Sequence, residues 1–184
     1  NLDSPLREMV TEQQVTPTTI PFRFSRNAAA NSGRGLEVWH TNEVSAHNLE
    51  SLVEDCMFWN VRSGIDITYG VNTVVRNSIL LGYGSERCGE GSCDENIGIT
   101  TDGTTRNLRV DGVQISGFRT GIWIPSRGTT QISRTRFDNT FNLLMYPPHQ
   151  PGRRTIVADN RFAPHPDGGE DFHFVQSRVL FHGD

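Results

Sequence analysis

The stretch Gly64–Gly84, GIDITYGVNTVVRNSILLGYG, is restated in kind by Gly121–Phe141, GIWIPSRGTTQISRTRFDNTF. Few residues are identical, yet the residue types agree at the same offsets. Each opens on Gly-Ile-x-Ile, then places one apolar residue (Val75, Ile132) and a second five positions later (Leu80, Phe137). The five-step pair occurs in three more places: Val53 and Phe58 in VEDCMF, Val110 and Ile115 in VDGVQI, and Val157 and Phe162 in VADNRF. Successive first anchors are 22, 35, 22 and 25 residues apart, and the long step contains the 13-residue insertion GSERCGEGSCDEN. A sustained period of this length is the mark of a solenoid or repeat array.

A short alternating segment belongs to each copy: Ile65 and Ile67 in GIDI, Ile97 and Ile99 in NIGI, Ile122 and Ile124 in GIWI, Leu143 and Met145 in NLLMY. Leu36 and Val38 in GLEV supply the first. Alternation over so few residues predicts a strand with one buried face. Three apolar steps per repeat, with turns between them, describe one coil of a parallel β-helix whose like residues stack about 4.8 Å apart. The third residue after each anchor is Cys56, Ser78, Val113, Thr135 or Asn160. Small or amide side chains there predict an inward ladder at a turn, with Asn160 bonded to a neighbouring rung.

The VRNSIL and GIWI repeats resemble those of the right-handed parallel β-helices of the pectate-lyase-like superfamily, over about residues 35 to 165. The expected fold is therefore all-β: a right-handed single-stranded parallel β-helix of about five to seven rungs. Residues 1–34 are read as an N-terminal cap or linker, in which DSPLREMVTEQQ suits a short capping helix with Ser4 as N-cap and Pro5 at its first position. Residues 35–184 are the β-helix domain, with a loop insertion at about 84–96. The absence of an evident C-terminal cap suits a module of a longer protein.

Composition narrows the function. The chain has 184 residues, 35% of them apolar, and a formal net charge of −4. Arg136, Arg153, Arg154 and Arg161 suggest a local positive patch, but no broader basic surface points to nucleic acid. No run of about 18 apolar residues predicts a membrane span. Cys88 and Cys93 flank a polar loop and are candidates for a disulfide, which would imply an oxidising, extracellular setting; Cys56 reads as a small core residue.

No paired aspartates suit the acid and base of a glycoside hydrolase. A Ca²⁺-dependent polysaccharide lyase needs carboxylates to hold the ion and a base to take the proton. Asp66, Asp94, Glu95 and Asp102 are the candidate ligands, with Arg119 or Arg127 as base, although an arginine needs an unusual setting to act as one. His165, Asp167, Glu170, Asp171 and His173 form a further sequence cluster, read chiefly as a solvated turn.

The outward positions are more informative. If the isoleucines point inwards, then Glu37, Trp39, Asp66, Thr100, Trp123, Leu144 and Tyr146 point out from one sheet face. An indole packs against the C–H face of a sugar ring while carboxylates and guanidiniums bond its hydroxyls. The expectation is a non-catalytic carbohydrate-binding module for a plant or algal polysaccharide of the xylan, pectin or alginate type, attached to a catalytic domain and secreted. Trp39, Trp123 and Tyr69 would form the platform, with Glu37, Asp66 and Arg127 as polar contacts and no cofactor. The alternatives are the lyase, which would use Ca²⁺, and a structural or adhesive β-helix.

Overall fold

The computed structural model describes residues 21–39, 49–84, 96–101, 105–145, 153–165 and 169–174. The proposed capping helix, the Cys88–Cys93 pair, Asp94, Glu95, Asp102 and Tyr146 lie outside the described residues. Within them the chain lays down three short strands, turns, and repeats. The first rung holds β1 (Arg23–Ser25), β2 (Ala28–Ala30) and β3 (Arg34–Trp39), and the second β4 (Ser51–Glu54), β5 (Met57–Val61) and β6 (Ser63–Thr68). The third holds β7 (Val71–Arg76), β8 (Ile79–Gly82) and β9 (Ile97–Thr101), and the fourth β10 (Arg106–Asp111), β11 (Gln114–Ser116) and β12 (Thr120–Ile124). The fifth holds β13 (Thr129–Ser133), β14 (Arg136–Asp138) and β15 (Phe141–Met145), and the sixth β16 (Arg154–Ala158), β17 (Arg161–Phe162) and β18 (Glu170–Phe174).

Like strands of successive rungs pair in parallel to make three six-stranded sheets. Sheet A runs β1-β4-β7-β10-β13-β16, sheet B runs β2-β5-β8-β11-β14-β17 and sheet C runs β3-β6-β9-β12-β15-β18. This is a parallel β-solenoid. The first anchors form one column, Val53–Val75–Val110–Ile132–Val157, and the second anchors another, Phe58–Leu80–Ile115–Phe137–Phe162. Phe24 and Ala29 head these columns, so the first rung takes in residues that the sequence reading left to the N-terminal segment. Most anchors are fully buried, and the Phe137 and Phe162 rings stack at 5.3 Å.

One register differs from expectation. Ile99, not Ile97, stands opposite Ile65 and Ile122, while Ile97 opposes Ser63 and Thr120 and Thr101 opposes Ile67. A slip of two residues keeps the same face inwards, so alternation alone could not fix it. Glycine does: Gly35, Gly64, Gly98 and Gly121 form a column where the chain enters sheet C. A Cβ on each would meet the next residue's carbonyl oxygen at 2.6, 2.3, 2.6 and 2.5 Å, the last being that of Asn142. Only hydrogen fits between these backbones.

The corner between sheets A and B is built from a second column. Arg26, Asp55, Asn77, Gly112, Arg134 and Asp159 all adopt left-handed backbone conformations, with φ between 49° and 65°. In the first five the N–H is turned towards the next rung, donating to the carbonyls of Glu54, Arg76, Asp111, Ser133 and Ala158. The turn also points the following residue inwards. Cys56, Ser78, Val113 and Thr135 are at most 2% exposed, as the sequence predicted for this ladder. Asn160 accepts from the Thr135 N–H at 2.9 Å and donates to the Ile132 carbonyl at 2.9 Å, the expected bond to a neighbouring rung.

Candidate functional site: a polar trough on sheet A

The outer face of sheet A carries a trough of about 290 Å³ lined by Glu50, Asn72, Val74, Asn107, Leu108, Arg109, Thr129 and Gln131. Its polar wall arises from a third left-handed column: Asn72, Asn107 and Gly128 have φ of 55°, 57° and 67°. Asparagine tolerates this conformation because its short amide bonds locally. The Asn107 amide donates to Asn72 Oδ1 at 2.9 Å, and Asn107 Oδ1 accepts from the Thr129 N–H at 3.1 Å. A side chain at Gly128 would bring its Cβ to 2.6 Å from that same oxygen. The amide ladder therefore depends on glycine in the rung above.

Across the trough Arg109 Nη2 reaches two rungs back to Glu50 Oε2 at 3.2 Å. Both side chains are about half exposed, at 44% and 51%, so the pair is screened by water and adds little stability. Val74, in the rung between them, is 2% exposed although it sits on the outer face. Among the described residues, no side-chain hydrogen bond occupies the Asn72 amide nitrogen, the Thr129 hydroxyl or the Gln131 carboxamide. Open polar groups of the third and fifth rungs thus line one concave strip, with the bonded Asn107 and Arg109 of the fourth rung between them.

Beside the trough, carboxylates on sheet A are fully engaged. Glu54, only 4% exposed, accepts from Arg76 Nε and Nη2 at 2.9 and 2.7 Å and from Arg23 Nε at 2.7 Å. The hydrogen bonds from Arg76, then those from Arg23, hold its carboxyl below the usual range against the opposing effect of burial. Asp111 is likewise lowered, first by Arg134 and then by Ser133. These are structural ion pairs.

The residues picked from sequence divide between places. Glu37 and Asp66 are register partners on the outer face of sheet C, and Asp66 opposes Thr100. Continuing the register from Ile99 and Ile122 brings Trp123 and then Leu144 into the same column. The expected row on one face is thereby formed. Its acids are not free, however: Glu37 bonds Arg34 at 2.7 Å, and Asp66 lies 3.8 Å from the same guanidinium and accepts from Thr68 at 3.2 Å. Trp123 is half-buried. Trp39 stands one column over, opposite Thr68, and its side chain lies outside the described residues.

Tyr69 and Arg127 belong instead to the corner between sheets C and A. Tyr69 has φ of 56° just before β7, and Arg127 bridges to Arg106, immediately before Asn107 and Gly128. They therefore lie beside the amide column of the trough in sequence. Arg119 is half-buried between β11 and β12, its carbonyl accepting from the Phe141 N–H at 2.7 Å. In the histidine cluster, His165 Nε2 lies 2.9 Å from Asp171 Oδ1, which also accepts from the buried Asn142 amide at 2.8 Å. Glu170 is exposed, and Asp167 and the His173 side chain lie outside the described residues. Among the described residues no three His, Cys, Asp or Glu side chains group as metal ligands.

Two surfaces escaped the sequence reading. The trough is one. The other is the apolar end of sheet B, where Met57, Trp59 and Ile79 are 41%, 42% and 37% exposed. They flank the inward anchors Phe58 and Leu80, so the five-step template itself marks them as outward. No family model, curated protein or solved structure matches the chain.

Proposed function

We propose that the protein is a non-catalytic polysaccharide-binding β-solenoid whose ligand runs along the solenoid axis through the sheet A trough. The observation that supports this is the polar strip: the open Asn72 amide nitrogen on the third rung and the Thr129 hydroxyl and Gln131 carboxamide on the fifth stand two rungs, about 9.6 Å, apart, with Arg109 of the rung between them beside the strip. A polymer with hydroxyls at regular intervals presents matching acceptors and donors, and several modest hydrogen bonds add along its length. Tyr69 and Arg127 stand at the corner between sheet A and sheet C, the sheet that carries Trp123, Trp39, Asp66 and Glu37, and on this reading are secondary contacts. The repeat's resemblance to the pectate-lyase-like superfamily favours a xylan, pectin or alginate type of ligand, in an extracellular setting and next to a catalytic domain.

The test is calorimetric titration of the best glycan-array hit into the intact chain and three variants. Arg109→Ala and Gln131→Ala, both on exposed side chains, are expected to weaken binding about tenfold or more each, or about 1.4 kcal/mol. Trp123→Ala should do less. Loss of binding in Trp123→Ala alone would move the site to sheet C, and loss in Trp59→Ala alone would move it to sheet B.

A further inference from the structure

Arginines on sheets A and C hold carboxylates: Arg23 and Arg76 on Glu54, Arg34 on Glu37, Arg109 on Glu50, and at the corner beside them Arg134 on Asp111. The outer face of sheet B is different. Arg136 and Arg161 are direct register partners there, both exposed. Neither has an ion-pair or side-chain hydrogen-bond partner among the described residues. Asp138, on the same face two residues beyond Arg136, is exposed and pairs with neither. Gln114 stands opposite Arg136 in the rung before and continues the column with another unoccupied amide.

Like charges directly opposite one another on neighbouring strands oppose pairing. Here the register holds the backbones of two arginines one rung, about 4.8 Å, apart, so their guanidiniums can converge on one ligand, and on a chain whose net charge is −4 the positive charge there is local. Guanidinium forks bind tetrahedral oxyanions bidentately, and an anion lying between the two would accept from both and relieve their repulsion. We propose that Arg136 and Arg161, with Gln114, form an oxyanion site for a sulfate or phosphate group, separate from the trough on sheet A. The apolar stretch of Met57, Ile79 and Trp59 lies further along the same face, leaving room for the larger body of an esterified ligand.

The experiment is an NMR titration of the intact chain that follows the arginine Nε–Hε resonances. Sodium sulfate, sodium phosphate and sodium chloride are added at matched ionic strength. Saturable shifts at both Arg136 and Arg161 with sulfate, phosphate or both are expected, and the salt that saturates at lower concentration identifies the ester chemistry. Arg161→Gln, an exposed change, should weaken the saturable response at Arg136 about tenfold or more. The same linear drift in all three salts, or an unchanged affinity in Arg161→Gln, would overturn the proposal. Calorimetry of the polysaccharide on Arg161→Gln separates the two sites, because trough binding should survive that change.

Discussion

A Cβ built on Gly64 would stand 2.3 Å from the carbonyl oxygen of Gly98 in the next rung. The contact is between backbones, so no side chain can rotate away from it. It repeats through Gly35, Gly64, Gly98 and Gly121 and sets how closely the rungs stack where the chain enters sheet C.

Substitution in this column should be costly. Gly98→Ala would bring its Cβ to 2.5 Å from Ile115 Cγ2 and 2.6 Å from the Gly121 carbonyl oxygen; overpacking of this kind costs about 1–3 kcal/mol. Gly33→Ala, with nothing within 4 Å of the added methyl, should be neutral or slightly stabilising. Chemical denaturation of both variants checks the pair, and equal stabilities would show that the rungs can part to admit a methyl group.

The left-handed corners predict the opposite sign. Asp159 is exposed with φ of 58°, a conformation that costs an L-residue about 1–2 kcal/mol. Glycine removes that cost and gives back about 0.5–1 kcal/mol in unfolded-chain entropy. Asp159→Gly should therefore stabilise by roughly 0.5–1 kcal/mol, while Asp159→Val should destabilise. A loss of stability in the glycine variant would mean that this carboxylate makes a contribution through its charge larger than its strain.

The ion pairs of sheet A set an acid limit. Glu54 and Asp111 titrate lower when folded than when unfolded, because Arg76 and Arg134 bond their ionised forms. A lowered folded value gives stability that is present above the unfolded values of about 4.3 and 3.9 and lost as pH falls through the folded ones. The melting temperature should change little from neutrality to about pH 5 and drop below it. Glu54→Gln should start lower and lose less on acidification; parallel curves for the two proteins between about pH 5 and 3 would contradict the assignment.

Much of this architecture was legible because a solenoid writes its contacts into its period. The five anchor pairs became two core columns without a shift, and the ladder through Cys56, Ser78, Val113 and Thr135 turned inwards as expected. The slip at Ile97 arose because period-two alternation reads the same after a two-residue shift, whereas the backbone contact at Gly98 does not. The first rung was read only from its third strand, GLEV, because Ala29 stands where later copies have Phe58, Leu80 or Phe137, and alanine carries little anchor signal. The outward row of Glu37, Asp66 and Trp123 could be read from alternation, but not the guanidinium of Arg34 that occupies its acids. The trough was harder still. It depends on left-handed turns at Asn72 and Asn107 and on Arg109 reaching across two rungs to Glu50, contacts that neither spacing nor residue type announces.

The most direct test of the central claim is a glycan array probed with the intact chain, with Ca²⁺ and with chelator, followed by an absorbance assay for unsaturated uronides on every hit. The account predicts binding to a polysaccharide that is insensitive to chelator, weakened by Arg109→Ala, and accompanied by no product. Calcium-dependent product formation would make the protein a lyase, and no binding to any glycan would leave a structural solenoid instead.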